Sequence, residues 1–102
     1  MIDTSPKKRF DILVEEQILP LVAKAIKAAG FSGHTVLPVL GGRGSHGQWS
    51  DERLTSSSRV MVIAIGAPDQ AERLLDELAP ILDSHRLLLS VSDCQVIRQE
   101  NF

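Results

Sequence analysis

The chain has 102 residues, 43% hydrophobic and 24% charged, with a formal net charge of −2 at pH 7. That length supports one domain with a modest core, and the composition is that of a folded chain rather than a disordered one. The weak negative charge excludes a general attraction to nucleic acid or to an anionic membrane, so any anion site has to be local. Cys94 is the single cysteine. It can form neither an internal disulfide nor a multi-cysteine zinc site, and its apolar surroundings in sequence mark it as a small buried core residue. No apolar run approaches membrane-spanning length, and the basic residues near the start have no long apolar segment behind them. A soluble cytoplasmic protein without membrane insertion is expected.

Phe10 to Val14 forms the first predicted strand. Ile18, Val22, Ala25, Ile26 and Ala29 then fall on one helical face. Pro20 is tolerated only in a first turn, which puts the helix start near Leu19, and Gly30 supplies a C-terminal cap. His34 to Leu40 is a second strand. Pro38 within it cannot donate to a ladder, so the strand belongs at an edge or carries a bulge. Gly41 to Gly47 holds four glycines in seven residues. The polar stretch Gln48 to Ser58 shows no periodicity and reads as a long loop without structure of its own. Arg59 to Ile65 is a third strand. A second helix starts near Pro68, with Ala71, Leu74, Leu75, Leu78, Ile81 and Leu82 on one face, and Pro80 is expected to kink or end it. Asp83 to Arg86 connects to a last strand, Leu87 to Ile97.

The order βαββαβ is that of the ferredoxin-like sandwich, an α+β fold with two helices on one face of a four-stranded antiparallel sheet. One domain, 1–102, is expected, with a flexible N-terminus (1–8), a long loop (41–58) and a tail (99–102). The third strand is apolar on both faces, whereas a sheet with one wet face alternates. No third helix is available to cover the second face. A homo-oligomer that packs sheet faces together follows.

Glycines bring backbone N–H groups close to a ligand. Successive N–H groups in a turn make a concave anion site, to which Arg43 adds a permanent planar charge. Gly41 to Gly47 is therefore either a phosphate cradle or a mobile hairpin tip. The segment from Gly42 to Gly47 matches G-x-G-x-x-G formally, but no helix pattern follows, and positions 62–67 hold no acidic residue. A dinucleotide fold is rejected, as is a P-loop. The three histidines, His34, His46 and His85, do not share metal-ligand spacing. His46 is either a donor to an anion or an exposed loop residue. Trp49 either contacts a partner or folds back on its own domain. Arg59 and Arg98 are terminal strand arginines, facing solvent or reaching a phosphate. Asp51 and Glu52 are adjacent loop acids of the kind that are usually solvated.

The run Ala29-Gly30-Phe31-Ser32-Gly33-His34-Thr35-Val36, followed by the glycine-rich loop, resembles the PII signalling proteins. The resemblance covers about Phe10 to Arg98. Gly41-Gly42-Arg43-Gly44-Ser45 is most similar to the PII-like branch serving inorganic-carbon metabolism, which includes regulators of bicarbonate transporters and carboxysome-associated proteins. Gln95-Val96-Ile97-Arg98 resembles the end of the family's last strand. The resemblance implies a homotrimer that binds adenine nucleotide in clefts between subunits. It places Gly41, Gly42, Arg43, Gly44 and Ser45 at the start of the family's T-loop and, with Arg98, near the phosphates. Thr35 then lines the cleft, and Arg59 matches a basic position at the T-loop end. Bicarbonate is implied as a second ligand.

The departures from the family are specific. The chain has no tyrosine, so T-loop uridylylation cannot occur. The glycine- and lysine-rich B-loop shrinks to Asp83-Ser84-His85-Arg86, which favours ADP or AMP over ATP, with Arg86 as a replacement contact. Ser45 or His46 stands where the glutamine used for 2-oxoglutarate would be. The expectation is a non-enzymatic sensor that needs no metal and whose residues 41–58 order on ligand binding and act on a transporter or carboxysome-related target. The alternatives are an oligomeric enzyme for a phosphorylated substrate, using Asp51, Glu52 or His46, and an interaction module presenting Trp49.

Overall fold

The computed structural model describes residues 2–44, 47–50 and 58–97, with only the backbone given for 44 and 47–50. The elements run β1 (Thr4–Glu15), a single 3-10 turn (Glu16–Ile18), α1 (Leu19–Ala28), β2 (Thr35–Pro38), β3 (Gly41–Gly44), β4 (Gly47–Ser50), β5 (Arg59–Gly66), α2 (Pro68–Ser84) and β6 (Leu87–Ile97). A four-stranded antiparallel sheet has the order β2-β5-β1-β6, and β3 and β4 make a separate two-stranded ribbon. This is the expected sandwich, with an added ribbon between its second and third strands. Pro38 does lie on an edge strand, where its missing N–H disturbs no ladder.

Alternation along the strands decides which face the helices cover. Phe10, Ile12 and Val14 of β1 and Val60, Val62 and Ala64 of β5 point into the core. Val22, Ala25 and Ile26 of α1 and Ala71, Leu74 and Leu78 of α2 close over them. Each large side chain buried this way contributes about 1.5–3 kcal/mol. Phe10 and Phe31 meet edge to face, their centroids 5.9 Å apart, a geometry that suits the aromatic quadrupoles.

The helix ends follow from local chemistry. Pro20 stands in the first turn of α1, where its absent N–H costs nothing. Gly30 takes φ 91°, closing α1 in a conformation that a Cβ would strain. Gln70 joins the two helices: its Nε2 donates to the Gly30 carbonyl at 2.8 Å, and its Oε1 accepts from the Ala67 N–H at 2.8 Å. The second bond satisfies one of the orphan donors at the start of α2.

Three expectations change. β1 begins at Thr4, so residues 4–8, expected within a flexible terminus, instead pair with β6, with Thr4 opposite Ile97. Helix α2 continues past Pro80 to Ser84. A proline removes one hydrogen bond, but here Ile81 packs against the core and the His85 N–H returns to the Ile81 carbonyl at 2.8 Å. The last turn therefore has its own support. The connection to β6 shortens to His85 and Arg86. Cys94 is half-buried rather than a core residue, because it lies on the outer edge strand β6, opposite Lys7. The tail 99–102 lies outside the described residues.

Gly66 sits directly beneath an aromatic ring. A Cβ at this position would come 2.6 and 2.7 Å from two ring carbons of Phe31. Gly66→Ala is expected to cost about 1–3 kcal/mol of stability through overpacking. Urea denaturation measures this, and an unchanged midpoint would show that Phe31 can move aside.

Candidate functional site

The antiparallel pairing of β2 and β5 defines one end of the sheet. Pro38, the last residue of β2, faces Val60, the second residue of β5. The chain therefore leaves the sheet for the glycine-rich segment and re-enters it at Arg59 in nearly the same place. The return point is fastened: the Glu16 N–H donates to the Ser58 carbonyl at 2.9 Å, and Ser58 is buried.

Between these points Gly41–Gly44 pairs with Gly47–Ser50, Gly42 opposite Trp49 and Arg43 opposite Gln48. The sequence suggests a turn for the glycine stretch and no structure from Gln48 onward. The hairpin alternative holds for the glycine stretch, while residues 48–50 are strand rather than structureless; residues 51–57 lie outside the described residues. The signal for the ribbon is a two-residue gap: Gly44 faces Gly47 across it, the spacing of a tight hairpin. Consecutive amides in a strand point in alternate directions, so residues 41–44 do not by themselves form the concave nest that a turn would. Arg43 is exposed.

The register aligns a charged row at this same end. Arg59 faces Glu15, and Leu87, which follows Arg86, faces Val14. Arg59, Glu15 and Arg86 thus stand in order across β5, β1 and the start of β6. Arg59 and Glu15 are half-buried and Arg86 is exposed. The Gln17 Nε2 donates to the Glu15 carboxylate at 3.0 Å. The sequence offers Arg59 and Arg86 separately, and it does not reveal Glu15 between them, because only strand register brings it there. Thr35 is exposed at the far end of β2, opposite Ile63, about 13 Å along β5 from Arg59 at ~3.3 Å per residue.

Arg98, Ser45, His46, Asp51 and Glu52 lie outside the described residues, and of Trp49 only the backbone is described. β6 ends at Ile97, opposite Thr4. Ten residues separate Ile97 from Leu87, about 33 Å of strand at ~3.3 Å per residue. Within one chain, the residue next to Arg98 is therefore at the opposite end of the sheet from Arg59 and from the point where the ribbon departs. A cavity of ≈ 370 Å³ lies at that opposite end, lined by Pro6, Lys7, Lys8, Pro68, Asp93, Cys94 and Gln95, with an ion pair between Lys8 and Asp93.

His34 is exposed, and the His85 Nδ1 lies 2.8 Å from the Ser84 Oγ. Among the described residues no group of three metal-ligating side chains converges. No helix among them is long and apolar enough to cross a membrane.

The family model for nitrogen regulatory protein P-II matches residues 7–101. The chain belongs to the P-II family. Among solved structures, CPII, a PII-like protein from Thiomonas intermedia K12 bound to ADP, AMP and bicarbonate, is 28% identical over 100% of this chain and 98% of its own, with a TM-score of 0.86. A second CPII structure, bound to ADP and bicarbonate, is 27% identical over 100% and 99% of the two chains, also with a TM-score of 0.86. A PII-like protein of Thermus thermophilus shares the P-II fold at 20% identity and a TM-score of 0.77, over 99% of each chain. None of the curated proteins compared with the chain matches it.

Proposed function

We propose that this P-II chain is a non-enzymatic signalling protein that binds ADP or AMP, with bicarbonate as a second ligand, between the subunits of a homotrimer. The observation that carries this reading is the full-length similarity to CPII, whose structures hold ADP, AMP and bicarbonate. The geometry of the single chain supports the shared site. Arg59 and the departure of the ribbon that carries Arg43 belong to one end of the sheet, and the residue next to Arg98 belongs to the other. One phosphate group can meet both sets only where two chains meet.

In this reading Gly41, Gly42, Gly44 and Ser45 bring the ribbon backbone close to the phosphates, since residues without bulky side chains allow that approach. Arg43 supplies the guanidinium fork and Arg98 of a neighbouring copy a second one. Arg59 and Arg86 add positive charge beside the ribbon base, and Thr35 lines the cleft. With Glu15 between the two arginines, the row carries one net positive charge. That suits a mono- or diphosphate better than a triphosphate.

The ligand changes the protein only through its different affinity for two states of the 41–58 segment. A ribbon joined to the sheet at both ends is suited to this, because contacts at its base bias the whole excursion. The ordered form presents Trp49 and its neighbours to a protein target in inorganic-carbon transport or carboxysome function, acting from the cytoplasm.

Calorimetry with ADP, AMP, ATP and cyclic AMP, with and without bicarbonate, tests the reading. Saturable ADP or AMP binding without product release is expected. No binding to any nucleotide overturns it, and steady turnover moves the chain to the enzymes. Arg43→Ala and Arg98→Ala should each weaken ADP binding by about 10- to 100-fold, as expected for loss of a charged hydrogen bond, while assembly is retained.

Mixing these two variants gives a sharper result. In a mixed trimer one cleft lacks both arginines and one has both. Near-wild-type affinity should return at a fraction of the sites on co-expression of Arg43→Ala with Arg98→Ala chains. Failure to recover any tight site would place both arginines in the same chain's site, against the register of β6.

A further inference from the structure

The sheet face away from the helices carries an apolar row that spans all four strands. Leu37 faces Met61, Met61 faces Leu13, and Leu13 faces Leu88. Leu37 and Leu88 are exposed, and Met61 and Leu13 are half-buried. Ile63 and Ile65 continue the apolar surface along β5. This is the face that a second copy would cover in the assembly proposed above.

Near its middle the same face holds an opposed pair of charges, set apart from the Arg59–Glu15 pair at the end of the strands. Asp11 lies opposite Ile63 on one side and Ser90 on the other, and Arg9 lies opposite Ile65 and Ser92. The Asp11 Oδ1 accepts from the Arg9 Nη2 at 3.0 Å and from the Arg9 Nε at 3.2 Å. The Arg9 and Asp11 side chains keep 43% and 28% exposure in the single chain. Both donors go to one carboxylate oxygen. Among the described residues, the Asp11 Oδ2 and the Arg9 Nη1 have no partner. The face is therefore greasy but carries guanidinium N–H donors and a carboxylate oxygen that burial would have to satisfy.

We propose that the Arg9–Asp11 pair is the element that makes this face select another copy of itself in one arrangement. An apolar face alone accepts many partners and registers. A face that also carries a cation and an anion is complementary in charge to its own copy. Burying it against a purely apolar surface would leave both groups short of hydrogen bonds, which is costly. Only an arrangement that returns donors to Asp11 Oδ2 and acceptors to Arg9 Nη1 avoids that cost. The inference rests on the association of copies proposed above.

The test is native mass spectrometry and sedimentation of the full chain. Asp11→Asn, isosteric and on the face away from the core, is expected to raise the dissociation constant of the assembly on the order of a hundredfold, as for breaking a buried pair on one side. The double variant Arg9→Met with Asp11→Leu is expected to associate again, but in more than one stoichiometry, and it supplies the result if the single variant does not fold. Asp11→Asn assembling like the wild type, or a double variant with one wild-type stoichiometry, would overturn the proposal. A wild-type chain that stays monomeric would instead overturn the trimer reading.

Discussion

Antiparallel pairing of β2 with β5 is the constraint on which the rest of the molecule depends. It returns the chain after the glycine-rich segment to within one strand spacing of its departure. An excursion from Gly41 to Ser58 can then leave the domain without disturbing it. The Glu16–Ser58 backbone bond makes the return point part of the folded body. Among the described residues, none of the buried hydrophobic core lies between Leu40 and Ser58.

The pairing of β6 with β1 sets a second constraint. A long β6 runs the length of β1 and carries its C-terminal end away from the ribbon base. Arg59 and the end of β6 at Ile97 thus stand at opposite ends of one sheet. In the proposed function, oligomerisation is therefore part of the site's construction rather than an addition to it. The uncovered apolar row on the open face and the divided site point to the same requirement, although they arise from different residues.

Local chemistry is readable where it is strong. Pro20 and Gly30 bracket α1 in the sequence as they do in the structure, and Pro38 marks an edge strand. The double-sided apolarity of Val60 to Ile65 reports a central strand. Long-range register is harder to read. Nothing local in Glu15 shows that it stands between Arg59 and Arg86, since that follows from pairings across three strands. Pro80 misleads because its single missing hydrogen bond is outweighed by the packing of Ile81, a tertiary effect. Thr4 to Arg9 carries too few apolar residues to read as a strand, yet β6 supplies the partner that makes it one. Composition obscures the glycine ribbon, since glycine is disfavoured in strands and reads locally as turn, and only the pairing across the hairpin overrides that preference.

The Gln70 bracket between Gly30 and Ala67 has a mechanical consequence. It ties the end of one helix to the beginning of the other at the side remote from the ribbon base, and Phe31 wedged over Gly66 tightens the same corner. A hydrogen-bonded amide and a packed ring, contacts of different kind, thus pin the same corner of the helical layer, so that loss of one leaves the other in place.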